Sequence, residues 1–250
     1  MAALAPALSL LPRLAALNLH DNKLGSAGAA ALAPPLSRLS QLAHLHLSFN
    51  KLSDAGAAAL APALALLTRL TWLDLSLNDV RSAGMQSLSP ALSCLSRLAS
   101  LDLMHCHVGA TAAAALAPAL ALLTMLTHLN LGHSDVSDAS MECLAPAVSC
   151  LSQLQAFDFF GIEIDSRGVA ALAAALPHLT ALTLLRLDCN AIGDAGVMHL
   201  VPPLARLPTL HRLRGFWFGN CPSSAMHARE SALQARVPAS VWAAFNREPR

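Results

Sequence analysis

The sequence predicts an α/β solenoid, a stack of similar coils in which short parallel strands line one side and helices cover the other. Three observations predict this fold class. The chain repeats with a period of 28 residues. Each copy contains the phrase Leu-x-x-Leu-x-Leu-x-x-Asn-x-Leu or a close variant and then a Leu, with a Gly and a Pro in register in most copies. Seven copies in phase leave little room for chance.

The strand of each coil is predicted by alternating leucines. In the first copy, which begins at Leu14, Leu17 and Leu19 are two positions apart, and such side chains share one face of a strand. They should therefore point into the layer between sheet and helices, before the turn that holds Asn22 and Leu24. Later strands begin at equivalent leucines: Leu42, Leu70, Leu98, Leu126, Leu154, Leu182 and Leu210.

The helix of each coil is predicted by the residues that follow the turn. The second copy shows the i, i+4, i+7 spacing that gives a helix one apolar stripe, at Leu60, Leu64 and Leu67. Ser53 or Asp54 is predicted to cap the start of this helix. Pro62 lacks an amide hydrogen, so we expect the helix to bend there or a new turn to begin.

The shape of the stack follows from two spacings. Parallel strands stack about 4.8 Å apart, whereas packed helices approach no closer than about 8 to 10 Å. A stack with strands on one side and helices on the other must therefore curve with its strands inside. We expect a right-handed βα horseshoe with a parallel sheet on the concave face and helices on the convex face.

These motifs resemble leucine-rich-repeat proteins, and the repeat length with the phrase from Gly28 to Leu32 resembles the ribonuclease-inhibitor-like subfamily. The resemblance covers about residues 4 to 213. It implies that buried side-chain amides bond the turn backbone of adjacent coils at one column: Asn22, Asn50 and Asn78. Cys106 and Ser134 occupy this column in later copies and can substitute in part, whereas Ile162 cannot.

The chain divides into two predicted parts. Residues 1–214 form the solenoid, with about seven full repeats that start in mid-repeat. Residues 215–250 lose the period and gain aromatic residues, so we expect a C-terminal cap with a helix near 224–236. Since no cap precedes Leu14 to Leu19, the first strand should be an exposed edge. We therefore expect continuation into a longer protein or self-association through this end.

Composition narrows the classes of function. Charged residues make up 12% of the chain and the net charge is +1, so no long-range field attracts nucleic acid or a membrane. Few aromatic residues disfavour base stacking. The six cysteines form no CxxC motif, so we expect reduced thiols in a cytoplasmic protein. The apolar stretch 108–127 is long enough for a membrane span, but it belongs to the repeat.

Side chains between the repeat leucines should face the concave surface because strand side chains alternate. Asp158 beside Arg186 is interpreted as an ion pair within the chain. We predict a surface for a protein partner at ten positions: His44, His46, Phe49, Trp72, Asp74, Leu77, Asp102, His105, His128 and His133.

Two features of this surface each have two interpretations. Like charges opposed on adjacent strands are destabilising, so Asp74 beside Asp102 indicates either a docking point for a partner Lys or Arg or a screened, solvated pair. An exposed tryptophan is enriched among interface hot spots. Trp72 is therefore either such a hot spot or a side chain that packs against His44 of the neighbouring strand.

Catalysis and metal binding are weakly supported. The types of ligand that metals prefer occur at His46, Asp74 and Asp102, and again at His105 with His133. An open strand face offers no surrounding groups to orient such ligands, so we predict no metal site. Nothing nearby supplies a nucleophile or a closed pocket, so we predict no enzyme and no cofactor.

The leading functional hypothesis is therefore a protein-interaction module that uses the concave face. One alternative is regulation of a small GTPase, because Ran GTPase-activating proteins are similar in repeat length. That activity would need an exposed residue on the loops after the strands, where Arg81 and Arg167 are predicted to lie. Another alternative is a structural subunit of a large assembly, which the charge-poor, alanine-rich convex face would suit.

Overall fold

The computed structural model describes residues 4–210 and 212–214, in which helices alternate with three-residue strands. The helices are α1 (Leu4–Leu8), α2 (Gly25–Leu36), α3 (Asp54–Leu64), α4 (Ser82–Leu92), α5 (Ala110–Leu122), α6 (Asp138–Val148), α7 (Ser166–Ala175) and α8 (Gly193–Leu204), with a 3₁₀ turn at Leu176–His178. The strands are β1 (Ala16–Asn18), β2 (His44–His46), β3 (Trp72–Asp74), β4 (Ser100–Asp102), β5 (His128–Asn130), β6 (Ala156–Asp158), β7 (Leu184–Arg186) and β8 (Arg212–Arg214). The predicted cap at 215–250 lies outside the described residues.

The eight strands of the described residues form one parallel sheet in chain order from β1 to β8. The register places each strand beside the equivalent residues of the next coil, as Leu17 beside Leu45 and Leu45 beside Leu73. The helices pack against one another in the same order on one side of the sheet. The predicted α/β solenoid is confirmed, and the sheet surface that faces away from the helices is called the concave face below.

One core lies between the sheet and the helices. The middle residues of the strands are buried there, and Leu45 and Leu73 are fully inaccessible. Full burial of one such side chain stabilises the fold by roughly 1.5 to 3 kcal/mol. In β6 and directly after it, the core leucines are replaced by Phe157 and Phe159, whose ring centroids are 4.0 Å apart. The sixth coil therefore fills the same layer with larger side chains.

The apolar stretch 108–127 is divided between α5 and the turns on either side of it. Within the described parts of the chain, no helix is long and apolar enough to cross a membrane. The described cysteines are free thiols: Cys94, Cys106, Cys143, Cys150 and Cys189.

An asparagine in the turn after the strand connects neighbouring coils. The Asn50 Nδ2 group donates to three backbone carbonyls at 2.7 to 3.1 Å, those of Leu19, Leu47 and Ser48. Its Oδ1 atom accepts from two backbone amides of the preceding coil, those of Asn22 and Leu24. Asn78 repeats this arrangement one coil further on. Both side chains are buried, so the amides supply partners that water does not reach.

In later coils, the position of Asn50 and Asn78 is occupied by residues with fewer hydrogen-bonding groups. The Cys106 thiol donates to the Leu75 carbonyl at 3.3 Å, and the Ser134 hydroxyl donates to the Leu103 carbonyl at 2.7 Å. Each of them supplies one of the bonds between coils that an asparagine amide supplies. Ile162, which is fully buried, has no donor or acceptor to offer in its side chain.

The predicted cap of α3 is wrong. Ser53 occupies the capping position but its side chain makes no capping hydrogen bond, and its hydroxyl instead lies 2.7 Å from the Ser26 hydroxyl. Asp54 serves the next helix. Its Oδ1 atom accepts from the backbone amides of Arg81, at 2.7 Å, and of Gly84, at 2.9 Å, which lie at the start of α4. The cap therefore crosses from one coil to the next.

The same cap between coils recurs at α7, where Asp138 accepts from the amides of Asp165 and Gly168. Glycine is required at the position that the carboxylate approaches. A Cβ atom built on Gly84 would lie 2.7 Å from Asp54 Oδ1, much closer than van der Waals contact. The carboxylate can reach the helix start because no side chain stands in its way.

Helices α2 to α6 and α8 each contain at least one proline in their second half. Pro62 is inside α3, which does not end there but continues to Leu64. In the equivalent turns after α4 and α6, the carbonyls of Pro90 and Pro146 accept hydrogen bonds from serine hydroxyls at 2.7 and 2.6 Å. These bonds satisfy carbonyls that the helix end leaves without an intrahelical partner.

Replacing Asn50 with alanine should lower the free energy of unfolding by about 3 kcal/mol, because several buried backbone groups lose their partner at about 1 to 3 kcal/mol each. Urea denaturation followed by circular dichroism measures this change. Asn22→Ala is the matched control, since Asn22 is an exposed member of the same column, and it should cost less than about 1 kcal/mol. Equal losses for the two variants would contradict the role assigned to the buried amide.

Gly84→Ala should destabilise the protein by about 1 to 3 kcal/mol, because the new methyl group collides with Asp54 Oδ1 and with Val80. Gly56 is the equivalent residue of α3, where a Cβ atom would meet nothing closer than 3.4 Å. Gly56→Ala should therefore be neutral or stabilising by up to about 1 kcal/mol. Thermal unfolding of both variants measures the contrast, and a neutral Gly84→Ala would refute the cap between coils.

Candidate functional site

The ten predicted partner-binding residues fall into two groups. Six lie on strands β2 to β5: His44, His46, Trp72, Asp74, Asp102 and His128. Four lie in the turns that follow those strands, three residues after each strand ends: Phe49, Leu77, His105 and His133. The strand residues flank the buried middle leucine of their strand, so they project from the concave face.

The four turn residues adopt a backbone conformation that their side chains disfavour. The φ angles of Phe49, Leu77, His105 and His133 lie between 52° and 56°. This left-handed conformation costs about 1 to 2 kcal/mol for a residue with a Cβ atom. The turn needs it because the amide of each residue then donates to a carbonyl of the next coil at 2.7 to 3.0 Å. Glycine would avoid the cost, so these large side chains are not explained by the backbone.

Around Trp72 the concave face combines a ring, an imidazole and two carboxylates. We call His46, Trp72, Asp74 and Asp102 the acidic–aromatic patch. The rings of His46 and Trp72 have centroids 5.8 Å apart, and His46 Nδ1 lies 3.6 Å from Asp74 Oδ2. Packing against His44 was one of the two interpretations of Trp72; the two residues are register partners, but the ring contact of Trp72 is with His46. Trp72 remains 40% exposed.

Asp74 and Asp102 are directly paired in the register of β3 and β4. Asp74 Oδ1 accepts from the amide and the hydroxyl of Ser76, and Asp102 accepts from the Met104 amide and the Asn130 side chain. Burial raises the pKa of Asp102, the hydrogen bond from Met104 opposes that rise, and the charge of Asp74 adds to it. Both carboxylates would therefore be stabilised by a cation at this point.

A second cluster lies on coils four to seven. We call His105, His133, Phe160 and Arg186 the histidine ladder. The imidazoles of His105 and His133 stack, with their centroids 4.6 Å apart and an angle of 10° between their planes. The His133 and Phe160 rings meet edge to face, with centroids 4.6 Å apart. The Arg186 guanidinium lies 4.3 Å from the centre of the Phe160 ring. A Cβ atom on Gly161 would lie 2.8 Å from the His133 ring, so the glycine makes room for the stack.

Phe160 and Asp188 were not among the predicted site residues. Phe160 is two positions after Asp158, so strict alternation from the strand would have placed it on the same face. The predicted ion pair is present, with Arg186 Nη1 at 3.2 Å from Asp158 Oδ2, and Arg186 Nε also contacts Asp188 at 3.0 Å. The guanidinium therefore lies between two carboxylates as well as over a ring.

Other chemistry finds less support on this surface. In residues 4–210 and 212–214, no group of three His, Cys, Asp or Glu side chains is arranged to hold a metal ion. Arg81 precedes α4 and contacts Asp79 at 2.8 Å. Arg167, predicted on a loop, is instead the second residue of α7 and contacts Asp138 at 3.3 Å. Both arginines considered for GTPase regulation are therefore paired with carboxylates of this chain.

Comparison with known proteins identifies the class. A family model described as leucine rich repeat matches six segments, at residues 14–33, 41–61, 68–89, 98–117, 123–145 and 178–201, about half of the chain. The chain belongs to the leucine-rich repeat family. Proteins of this family are generally protein-interaction modules. No curated protein matches this sequence.

Two internalins of Listeria monocytogenes are similar in structure. Internalin C2 is 23% identical with a TM-score of 0.51, and the match covers 84% of this chain and 91% of that one. Internalin inlF is 22% identical with a TM-score of 0.45, and the match covers 87% of this chain but 64% of that one. This chain therefore spans less than two thirds of the inlF chain. At this identity, the likeness to internalin C2 concerns the solenoid fold alone.

The pKa of His105 should lie below 6.5, because burial and the neighbouring His133 both disfavour its charged form. The folded chain then binds this proton less readily than the unfolded chain does. The contribution to stability is fully present above pH 6.5 and is lost as the pH falls through the lowered pKa. Titration of the imidazole signals by NMR measures it. His133→Ala should raise the pKa of His105, whereas His44→Ala should leave it unchanged; the same pKa in all three proteins would contradict the ladder's influence.

Proposed function

We propose that this chain is a non-enzymatic interaction module that binds a protein partner through its concave face. The observation that carries this proposal is the acidic–aromatic patch, where an exposed Trp72 stands beside the paired carboxylates of Asp74 and Asp102. The coil requires none of these side chains, since its packing depends on Leu, Asn, Gly and Pro. A surface that keeps a large exposed ring beside two like charges is typical of a binding site.

The turn residues next to the patch support the same proposal. Phe49 is 50% exposed and Leu77 is 40% exposed, and both are held in the left-handed conformation. Two unfavourable features therefore coincide, an apolar surface in water and a strained backbone. A partner that covered these side chains would recover the free energy of the exposed apolar surface, at about 25 cal/mol per Å² buried.

Several finer assignments belong to this proposal. We assign the chain to the ribonuclease-inhibitor-like subfamily because its coils are in register every 28 residues with a helix in each coil. We place it in the cytoplasm, which the free thiols of the described residues support. We also propose that β1, the edge strand of the sheet in the described residues, pairs with a second copy or with further repeats. The proposed module needs no cofactor or metal.

Trp72→Ala should weaken partner binding by about 2 kcal/mol or more while leaving thermal stability nearly unchanged, because the ring lies largely outside the core.

Asp74→Asn combined with Asp102→Asn should slow association and flatten its dependence on salt, since steering by charge would be lost. Cross-linking and mass spectrometry in native extract recover the partner, and surface plasmon resonance then measures both variants.

Substitutions away from the concave face serve as controls. Arg69 and Arg97 lie in the turns that follow α3 and α4 and are exposed. Arg69→Ala and Arg97→Ala should leave the affinity for the partner unchanged. If they abolish binding while the Trp72 and aspartate variants bind normally, the site is on the other side of the solenoid and the proposal fails.

A further inference from the structure

The segments that lead from each helix to the next strand form one edge of the solenoid, which we call the helix-to-strand edge. It consists of residues 9–15, 37–43, 65–71, 93–99, 122–127, 149–155, 176–183 and 205–210. No Asp or Glu occurs in any of these segments. Arginine occurs at five exposed positions: Arg13, Arg38, Arg69, Arg97 and Arg206. The net charge of +1, from which no attraction to a membrane was predicted, therefore does not reveal how the fold separates its charges.

The fold leaves the charge of these five arginines uncompensated. Elsewhere on the solenoid, Arg81, Arg167 and Arg186 contact carboxylates at 2.8 to 3.3 Å. Within residues 4–210 and 212–214, none of the five edge arginines forms an ion pair. Arg69 donates instead to the uncharged side chain of Gln41. The described carboxylates lie on strands, in the turns after strands or in helices, so this edge is basic throughout.

The same edge also exposes apolar side chains. Eight large apolar side chains are exposed in the described residues, and three of them are among the predicted partner-binding residues. The other five lie on the helix-to-strand edge: Leu10, Leu11, Leu66, Leu122 and Met125. Exposed apolar surface is therefore concentrated at two places, the predicted partner site and this edge.

The middle of the edge contains a row of apolar residues. Four consecutive coils expose an apolar side chain or a thiol at the equivalent position: Leu66, Cys94, Leu122 and Cys150. Equivalent positions of neighbouring coils are about 5 to 10 Å apart, the range from the strand spacing to the helix spacing. Arginine occupies the same position one coil before the row, at Arg38, and two coils after it, at Arg206. The row is therefore flanked by cations.

Cations around an apolar row are features that hold a protein at the surface of an anionic membrane. The apolar side chains enter the boundary between headgroups and acyl chains, while arginines bury their stems and keep their guanidinium groups at the phosphates. From Arg13 to Arg206 the cations extend over seven coil spacings, about 34 Å measured at the strands. A bilayer offers anions over such a distance, whereas a protein segment would need carboxylates at five separate places.

We propose that the helix-to-strand edge docks on the surface of a lipid bilayer that contains anionic headgroups. The row from Leu66 to Cys150 lies at the headgroup boundary, and the arginines contact lipid phosphates. Docking of this kind needs no helix that crosses the membrane. The concave face is a different surface, so a docked chain can bind its protein partner at the same time. The inference is therefore independent of the proposed partner site.

Co-sedimentation of the full chain with lipid vesicles tests the proposal. The wild-type chain should bind vesicles made of phosphatidylcholine and phosphatidylserine in equal parts, and it should bind vesicles of phosphatidylcholine alone about tenfold more weakly or less. Arg69→Gln combined with Arg97→Gln should weaken binding to the mixed vesicles by about tenfold or more, because each cation near such a surface contributes about fivefold.

A matched control removes the same charge from the opposite edge. Lys23 and Lys51 are exposed in the turns that follow β1 and β2. The length of a strand and its turns separates them from the arginines, whereas the attraction to the bilayer falls off within about 10 Å. Lys23→Gln combined with Lys51→Gln should therefore change binding by less than about twofold.

A gain of binding tests the apolar row. Cys94→Leu combined with Cys150→Leu enlarges two exposed side chains at a position that already accepts leucine. Binding to the mixed vesicles should become stronger by about fivefold or more, because more apolar surface enters the bilayer. Leu66→Ser combined with Leu122→Ser should weaken it by about tenfold or more. Circular dichroism should show unchanged melting, since these side chains lie outside the core.

Several results would overturn the proposal. These are no binding of the wild-type chain to the mixed vesicles, equal binding to both kinds of vesicle, equal weakening by the arginine and lysine pairs, or unchanged binding of the cysteine and leucine variants. Capture of polyglutamate by this edge, without binding to the mixed vesicles, would indicate a protein ligand and would also overturn it. None of these measurements involves Trp72, so the concave site is tested separately.

Discussion

Buried turn backbone must find its hydrogen-bond partners in the neighbouring coil, and the rest of the solenoid depends on this constraint. The Asn50 side chain bonds carbonyls of its own coil and of the preceding one, while its oxygen accepts amides of the preceding coil. A buried group left without a partner would cost about 1 to 3 kcal/mol. The caps obey the same constraint, because Asp54 satisfies the first amides of α4. A coil thus completes its turn and its helix start only beside another coil, which explains why such repeats are stable as stacks.

The sequence predicted the fold because the constraint is periodic. Leucines in phase determine which residues are buried, and the asparagine column follows the same register. The caps could not be predicted by a rule that considers one helix at a time, because Asp54 and Gly84 lie in different copies. The sequence feature that marks these caps is a pair of residues in consecutive copies. A glycine that accommodates the carboxylate lies thirty positions after Asp54 and again thirty positions after Asp138. Only the geometry of the stack shows why that separation matters.

The candidate site was less predictable. The alternation of side chains along a strand shows on which face of the sheet a residue lies, but not which residues it contacts. Trp72 turns towards His46, a diagonal neighbour, although His44 lies directly opposite it. Diagonal contacts lie within reach of large rings, so alternation alone could not choose between them. For the same reason Phe160 was not among the predicted site residues, although its ring contacts both His133 and the Arg186 guanidinium.

The charges of the concave face differ between its two halves. Towards β7, Asp158 and Asp188 flank Arg186 at 3.2 and 3.0 Å, so the fold largely compensates their charge. Asp74 and Asp102 instead lie beside each other, with an imidazole and a side-chain amide as neighbours. In a chain with 12% charged residues, such a pair is a strong local feature. Successive strands are about 4.8 Å apart. A partner that placed a cation at this pair would therefore be held in one register along the sheet.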